Sequence, residues 1–223
     1  MQINYKMNLD RIYEYRFKDV NAEKKLIVWR EISKFIYGKL NRPEKILDPA
    51  AGLCEFINNI PSAERWAVDL NEEFLNVHAN ADVKKVTGNS LSIQLPENYF
   101  DGIFISNFLE HLSSQEEVAS FLGRMHKCLK PGGRIAVMGP NFKYAAKEYF
   151  DFADHNVILS ELGLAEHIYA AGFSITEIHG RFLPLSFRSN SFLPVNKFTV
   201  SAYLNMPFAW KFFGKQFLVI GEK

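Results

Sequence analysis

Ile46-Leu47-Asp48-Pro49-Ala50-Ala51-Gly52-Leu53-Cys54 is a short apolar run that ends in an acid and then turns through small side chains. A buried parallel strand reads as a continuous apolar run, and a turn of small residues lets the backbone approach a ligand closely. The stretch is therefore read as the first strand and the ligand loop of an α/β sheet.

Upstream of it, between Asn21 and Leu40, apolar residues fall at Leu26, Trp29, Ile32, Ile36 and Leu40, the spacing of one helix face. This predicts an amphipathic N-terminal helix. The segment before it carries Tyr5, Tyr13, Tyr15 and Phe17 among charged residues, a composition that suits either a lid folded over the sheet or an arm packed for stability.

Downstream, Glu55 to Ile60 reads as a short helix stopped by Pro61, and Arg65 to Asp69 as a second strand that again ends in an acid. Asn71 is a good N-cap for the helix that follows. Asp82 to Thr87 is a third strand followed by Gly88-Asn89-Ser90, and Asp101 to Ser106 is a fourth. The clearest helix runs from Ser114 to Leu129, with a stripe of Val118, Phe121, Leu122, Met125 and Leu129. Its start fits a capping box as Ser113 with Glu116 or Ser114 with Glu117, and Lys130-Pro131-Gly132-Gly133 ends it. Arg134 to Met138 is a fifth strand, Ser160 to Ala171 a helix closed by Gly172, Phe173 to Phe182 a sixth strand, and Gln216 to Gly221 the last.

Strands alternating with helices imply a doubly wound, mostly parallel sheet with right-handed crossovers. Ligands of such sheets bind beyond the carboxyl ends of the strands. Asp48, Asp69, Asn89, Ser106 and Asn141 all fall at or just past those ends.

The composition narrows the chemistry. With 223 residues, 48% hydrophobic and 23% charged, the chain is long enough for one domain with a well-buried core, 1–223. A net charge of +1, from 26 basic and 25 acidic side chains, gives no broad footprint for nucleic acid, so a small-molecule partner is the expectation. The two cysteines, Cys54 and Cys128, have neither CxxC spacing nor a His/Cys cluster, so no metal site and no disulfide is expected, and a cytoplasmic location fits. No run approaches the roughly 18 apolar residues of a spanning helix.

Asp69, 21 residues after Asp48, can accept bonds from both hydroxyls of a ribose; the competing role is to cap the helix entered at Asn71. A dinucleotide pyrophosphate would call for G-x-G-x-x-G and a helix N-terminus. This loop has only Gly52, and Asp48 would repel a phosphate, whereas an acid there suits a cofactor whose nearby group is cationic.

Taken together these residues resemble the class I S-adenosylmethionine-dependent methyltransferases of the bacterial type-11-like subgroup. That family's first motif is D-x-G-x-G-x-G, which Asp48 to Cys54 follows with Ala50 and Cys54 in place of two glycines. The likeness continues through Val68-Asp69-Leu70, Gly88-Asn89-Ser90, Asp101 to Leu112 and Leu129 to Gly133, covering about 45–182. It implies a Rossmann-like methyltransferase fold with seven strands, the last antiparallel, and S-adenosyl-L-methionine as cofactor. By the same resemblance Asp48, Ala50, Ala51 and Gly52 would hold the methionine part, Asp69 and Leu70 the ribose side, Asn89, Ser90 and Leu91 the adenine, and Asn107 would lie beside the sulfonium.

Methyl transfer to a hydroxyl also requires a proton to be taken away. His155 is the candidate base, past the fifth strand, with Asp154 or Asp151 to orient it. His111 is either a second candidate base or, as expected first, a histidine that orders its loop and the helix start. The insert 183–215 is rich in Phe187, Phe192, Phe198, Tyr203, Phe208, Trp210, Phe212 and Phe213, and its entry Arg181-Phe182-Leu183-Pro184 and exit Phe213-Gly214-Lys215-Gln216 resemble a bacterial subgroup of the family associated with cell-surface glycan and lipid pathways. It offers a peripheral membrane contact, a homodimer contact or plain core packing. The domain thus divides into an N-terminal helical lid 1–44, a cofactor core 45–182, the acceptor-side insert 183–215 and a last strand 216–223. The expected function is methylation, at oxygen, of a small-molecule or glycan- or lipid-linked acceptor. A non-catalytic cofactor-binding scaffold of the same fold and a nicotinamide-dependent reductase are the rivals.

Overall fold

A computed structural model describes residues 11, 12, 15, 21–185 and 195–223. Tyr5, Tyr13, Phe17, Phe187 and Phe192, on which part of the lid and insert readings rest, lie outside the described residues.

Seven strands form one sheet: β1 Lys45–Asp48, β2 Glu64–Asp69, β3 Val83–Thr87, β4 Phe100–Ser106, β5 Leu129–Pro140, β6 Ser174–His179 and β7 Gln216–Glu222. Their order is β3-β2-β1-β4-β5-β7-β6. The β1–β2, β2–β3, β1–β4 and β4–β5 pairs are parallel, and β7 runs antiparallel to both of its neighbours. The sheet reverses between β1 and β4, so the ends of those strands open the crevice where ligands bind in folds of this kind.

The helices are α1 Ala22–Lys39, α2 Glu72–His78, α3 Gln115–Cys128, the short α4 Phe142–Ala145, α5 Glu161–Ala170, α6 Lys197–Leu204 and α7 Pro207–Phe213. Side chains alternate along the central strands between two apolar layers, as strand geometry requires. Phe104, Ala136, Met138, Leu218 and Ile220 join α1, α2 and the insert helices on one face. Ile103, Ile105, Ile135, Val137 and Val219 join α3 and α5 on the other. Ile32 and Ile36 of α1 are fully buried; each such side chain contributes about 1.5–3 kcal/mol. α1 buries Val28, not Leu26, which is 42% exposed.

Most element ends follow the capping residues. Asn21, Asn71, Ser114 and Ser160 each accept a backbone N–H of the helix they open. Of the two registers open to α3, Ser114 is the cap, while the Glu117 carboxylate accepts the Ser113 N–H at 2.8 Å.

Three expectations are corrected. Residues 55–60 form turns, not a helix: Cys54 enters with φ +57°, and the Asn59 side chain donates to the Glu55 carbonyl at 2.7 Å, taking an acceptor that a helix would use. β5 begins at Leu129 instead of Arg134, because Leu129 already pairs with Phe100 before a register shift. β6 stops at His179, short of Phe182, whose N–H donates to the Gln216 carbonyl at 2.6 Å and whose ring turns into the core.

The insert packs on α1. Phe35 stacks on Phe182 at 5.4 Å between centroids and meets Trp210 edge-on at 5.9 Å. Trp210 Nε1–H donates to the Tyr203 carbonyl at 2.8 Å. Phe198, Phe208, Phe212 and Phe213 remain exposed.

Candidate active site

The loop after β1 is held from two sides. Asp69 Oδ2 accepts the Gly52 N–H at 2.8 Å, and its Oδ1 accepts the Asn71 N–H at 2.9 Å. Ser90 Oγ–H donates to the Pro49 carbonyl. The ends of β1, β2 and β3 thus form one hydrogen-bonded unit. The helix-entry role foreseen for Asp69 is present in part: Asn71 itself caps α2, and Asp69 steadies the Asn71 amide. Each carboxylate oxygen accepts one N–H and keeps a second acceptor direction.

Two of the glycines that the resemblance calls for are replaced, with different local outcomes. Cys54 adopts the left-handed conformation, φ +57°, that favours glycine, and its thiol is buried against the Gly52 carbonyl at 3.7 Å. Burial first, then the carboxylates of Asp48 and Asp69, pushes that thiol up to about 12, so it is protonated and unreactive at neutral pH. Ala50 does not have positive φ and is half-buried. Gly52 has φ +48°, and a Cβ built there meets nothing within 4 Å. The space above the loop is open.

Asp48 is 5% exposed, and its Oδ1 accepts the Ala50 N–H at a long 3.4 Å. Burial raises its pKa to about 7, the Ala50 amide opposes that shift, and Asp69 adds to it. A cation above the loop would hold Asp48 ionised.

Asn89 is exposed, and its Oδ1 accepts the Leu91 N–H at 2.9 Å. The acceptor and donor expected to meet an adenine therefore face each other, while Leu91 itself is half-buried and Ser90 is turned inward. Leu70 is 68% exposed at the mouth of the crevice. Ala51 is buried, its N–H donating to the Val68 carbonyl at 2.9 Å. Asn107, exposed with φ +48°, follows β4 and donates from Nδ2 to Ser106 Oγ at 3.0 Å. Asn141, also flagged by its position, is a fully buried brace that donates to Glu161 at 2.6 Å and to the Gly180 carbonyl at 2.7 Å.

His155 lies past β5 as expected, next to Asp154 in the chain. The Asp154 carboxylate faces His111, with Oδ2 3.4 Å from Nδ1. His155 stacks on Phe152 at 4.7 Å and meets Tyr149 edge-on at 4.8 Å. Its ring centroid is 5.1 Å from that of His111. This histidine pair escaped the sequence reading, since 44 residues separate its members and only the Glu110-His111 and Asp154-His155 dipeptides hint at it.

A cavity of about 490 Å³ opens between α1 and residues 53–59, beside Lys25, Arg30, Glu55 and Asn58. None of the expected cofactor residues lines it.

Strand order, an acid at the ends of β1 and β2, and an open glycine turn between them define a Rossmann-like methyltransferase architecture. Residues 47–137 match the family model described as a methyltransferase domain. Among curated relatives, the ubiquinone/menaquinone biosynthesis C-methyltransferase UbiE of Burkholderia cenocepacia is 31% identical over 105 residues, covering 42% of this chain and 42% of the relative. UbiE of Erwinia tasmaniensis is 28% identical over 152 residues, 61% of this chain and 58% of the relative. The chain thus spans about half the length of the curated relatives it matches. A solved S-adenosylmethionine-dependent methyltransferase from Archaeoglobus fulgidus superposes with a TM-score of 0.67 at 20% identity, covering 97% of this chain and all of that one, and shows the shared fold.

These matches identify residues 47–137 as similar to a methyltransferase domain and give the chain the fold of the S-adenosylmethionine-dependent methyltransferases. The cofactor that this family and fold imply is S-adenosyl-L-methionine. The residues present fit it: the Gly52 turn leaves room for a close ligand, and the buried Asp48 is a carboxylate that a cationic ligand would stabilise in its charged form.

Proposed function

We propose that the chain transfers a methyl group from S-adenosyl-L-methionine to a small-molecule acceptor, glycan- or lipid-linked intermediates included. The observation that carries this reading is the 48–52 loop at the carboxyl end of β1, held to β2 by the Gly52–Asp69 bond and to the end of β3 by the Ser90–Pro49 bond, with a histidine pair past β4 and β5.

The cofactor supplies a methyl group on a cationic sulfur. Asp48 and the 50–52 backbone hold its methionine part, and Asp69 accepts from the ribose hydroxyls with the lone pairs that Gly52 and Asn71 leave. Asn89, Ser90 and Leu91 frame the adenine; for Asn89 to accept from the amino group its bond to the Leu91 N–H must open or be shared. Leu70 covers the ribose side, and Asn107 sits beside the sulfur. Alignment of this kind contributes roughly 7–11 kcal/mol to a displacement reaction. On the acceptor side His155 takes the proton, and the Tyr149 and Phe152 rings exclude water around it.

We place the acceptor atom at oxygen, because a hydroxyl must lose a proton that a neutral amine need not. The UbiE relatives, named as C-methyltransferases, favour carbon as the second reading, and His155 serves that equally. Transfer of a ¹³C-methyl group to candidate phenols and quinols, read by NMR, separates the two by chemical shift. His155→Ala should lose most turnover and keep its affinity for S-adenosylhomocysteine. Undiminished turnover refutes the base, and no calorimetric binding of S-adenosylhomocysteine refutes the reading as a whole.

A further inference from the structure

Two turns distant in sequence meet just beyond β4 and β5. The Asn156 and Val157 N–H groups both donate to the Glu110 carbonyl, at 2.8 and 3.0 Å, and Asn156 Nδ2 donates to the His111 carbonyl at 3.3 Å. These bonds fix the segment that carries His155 against Glu110 and His111. One carboxylate oxygen of Glu110 and one ring nitrogen from each histidine lie within 4.8 Å of one another.

The tautomer of His111 follows from its surroundings. Nδ1 is 3.0 Å from the Asp154 carbonyl, which can only accept, so Nδ1 carries the proton and Nε2 presents its lone pair. Nε2 is the nitrogen turned to Glu110, 3.9 Å from Oε1. A metal-ligating histidine is held in this way, its second N–H engaged by a carbonyl or carboxylate. The Asp154 carboxylate, 3.4 Å from the same Nδ1, adds to that hold. Glu110 is 2% exposed and Asp154 5%. Two buried carboxylates beside two imidazoles make a pocket that favours positive charge.

We propose that Glu110, His111 and His155 bind one divalent transition cation. Two imidazoles and a carboxylate suit zinc, iron(II) or cobalt(II), whereas calcium and magnesium take sets richer in oxygen. Ligand atoms around a tetrahedral cation with bonds of about 2.0–2.1 Å are roughly 3.3 Å apart, so the cluster closes by small side-chain rotations. Three protein ligands leave a fourth position open, as in catalytic sites. With the cation bound, His155 is a ligand instead of a free base; an acceptor hydroxyl at the open position then loses its proton to solvent because the cation lowers its pKa. That last consequence rests on the methyltransferase reading; the binding site does not.

The test is a cobalt(II) titration of the whole chain, followed by visible absorption, with zinc displacement and parallel calorimetry with S-adenosylhomocysteine. One cobalt per chain, displaced by one zinc, is expected, with at least a tenfold loss of affinity in each of His111→Gln and His155→Gln, by analogy with the effect of lesser changes around metal ligands. Because these variants touch a packed turn, histidine modification by diethyl pyrocarbonate gives a readout on the unaltered protein. Zinc should protect His111 and His155 but not His78, His126, His167 or His179. No stoichiometric cobalt binding, unchanged affinity in both folded variants, or protection falling on other histidines overturns the site even where S-adenosylhomocysteine binds. Cobalt binding without S-adenosylhomocysteine binding upholds the site and removes the methyltransferase reading alone.

Discussion

The Asp69 carboxylate accepts the Gly52 N–H at 2.8 Å, so the loop after β1 takes its shape from the last residue of β2. A group expected to grip a ligand is at the same time part of the frame that shapes the ligand loop. In Asp69→Asn one oxygen becomes an amine donor facing a backbone N–H, either that of Gly52 or that of Asn71. The expected loss is about 1–3 kcal/mol of stability, read by urea unfolding, together with a larger loss of S-adenosylhomocysteine affinity, read by calorimetry. A variant with wild-type stability and affinity would show that neither bond matters.

Asp48 predicts a pH dependence with a definite sign. Its pKa is about 7 in the folded chain against 3.8 for the free carboxyl, so between those values the folded state holds the proton more tightly. This group's contribution to stability is therefore present at low pH, falls as pH rises from about 4 to 7, and is level above that. A cationic ligand prefers Asp48 ionised, so S-adenosylmethionine should bind more tightly as pH approaches 7, by at most about tenfold per unit. Asp48→Asn should flatten both profiles in thermal melts and binding titrations.

Gly52→Ala separates stability from binding. The new methyl meets nothing within 4 Å, so the folding cost is that of φ +48° alone, about 1–2 kcal/mol. The melting temperature should fall by a few degrees, while S-adenosylhomocysteine affinity falls more than tenfold because the methyl occupies the open space above the turn. Equal losses in both measurements would place the ligand elsewhere.

Trp210 is 3% exposed and anchors the insert to Phe35, Phe182 and His179. Trp210→Ala should cost about 3–5 kcal/mol. If the insert walls the acceptor pocket, the same change should raise KM for the acceptor more than KM for the cofactor. Protease nicking within 195–215, absent in the wild type, would report its release from α1.

The sheet was legible because its signals are local. The buried centres of β1, β4 and β7 read as apolar runs, and Asn71, Ser114 and Ser160 each announce a helix within four residues. Residues 55–60 misled because their helical composition is overruled by the left-handed Cys54 and by Asn59 bonding its own backbone. The placement of Asp48, Asp69, Asn89 and Asn107 at or just past strand ends was visible from the strand signals. The histidine pair was not, since it depends on backbone bonds between residues 110 and 156–157 that no periodicity encodes. Adjacency in sequence also hid that the Asp154 carboxylate approaches His111, 43 residues earlier, at 3.4 Å.

β7 lies between β5 and β6 and pairs with both. The edge strand β6 is therefore complete about forty residues before the partner that attaches it to the sheet has been made. Ser174–His179 therefore joins the sheet only once Gln216–Glu222 has been made and has paired with it. Removing Gln216–Glu222 would detach two strands instead of one, which makes β7 the keystone of assembly in time as well as in space.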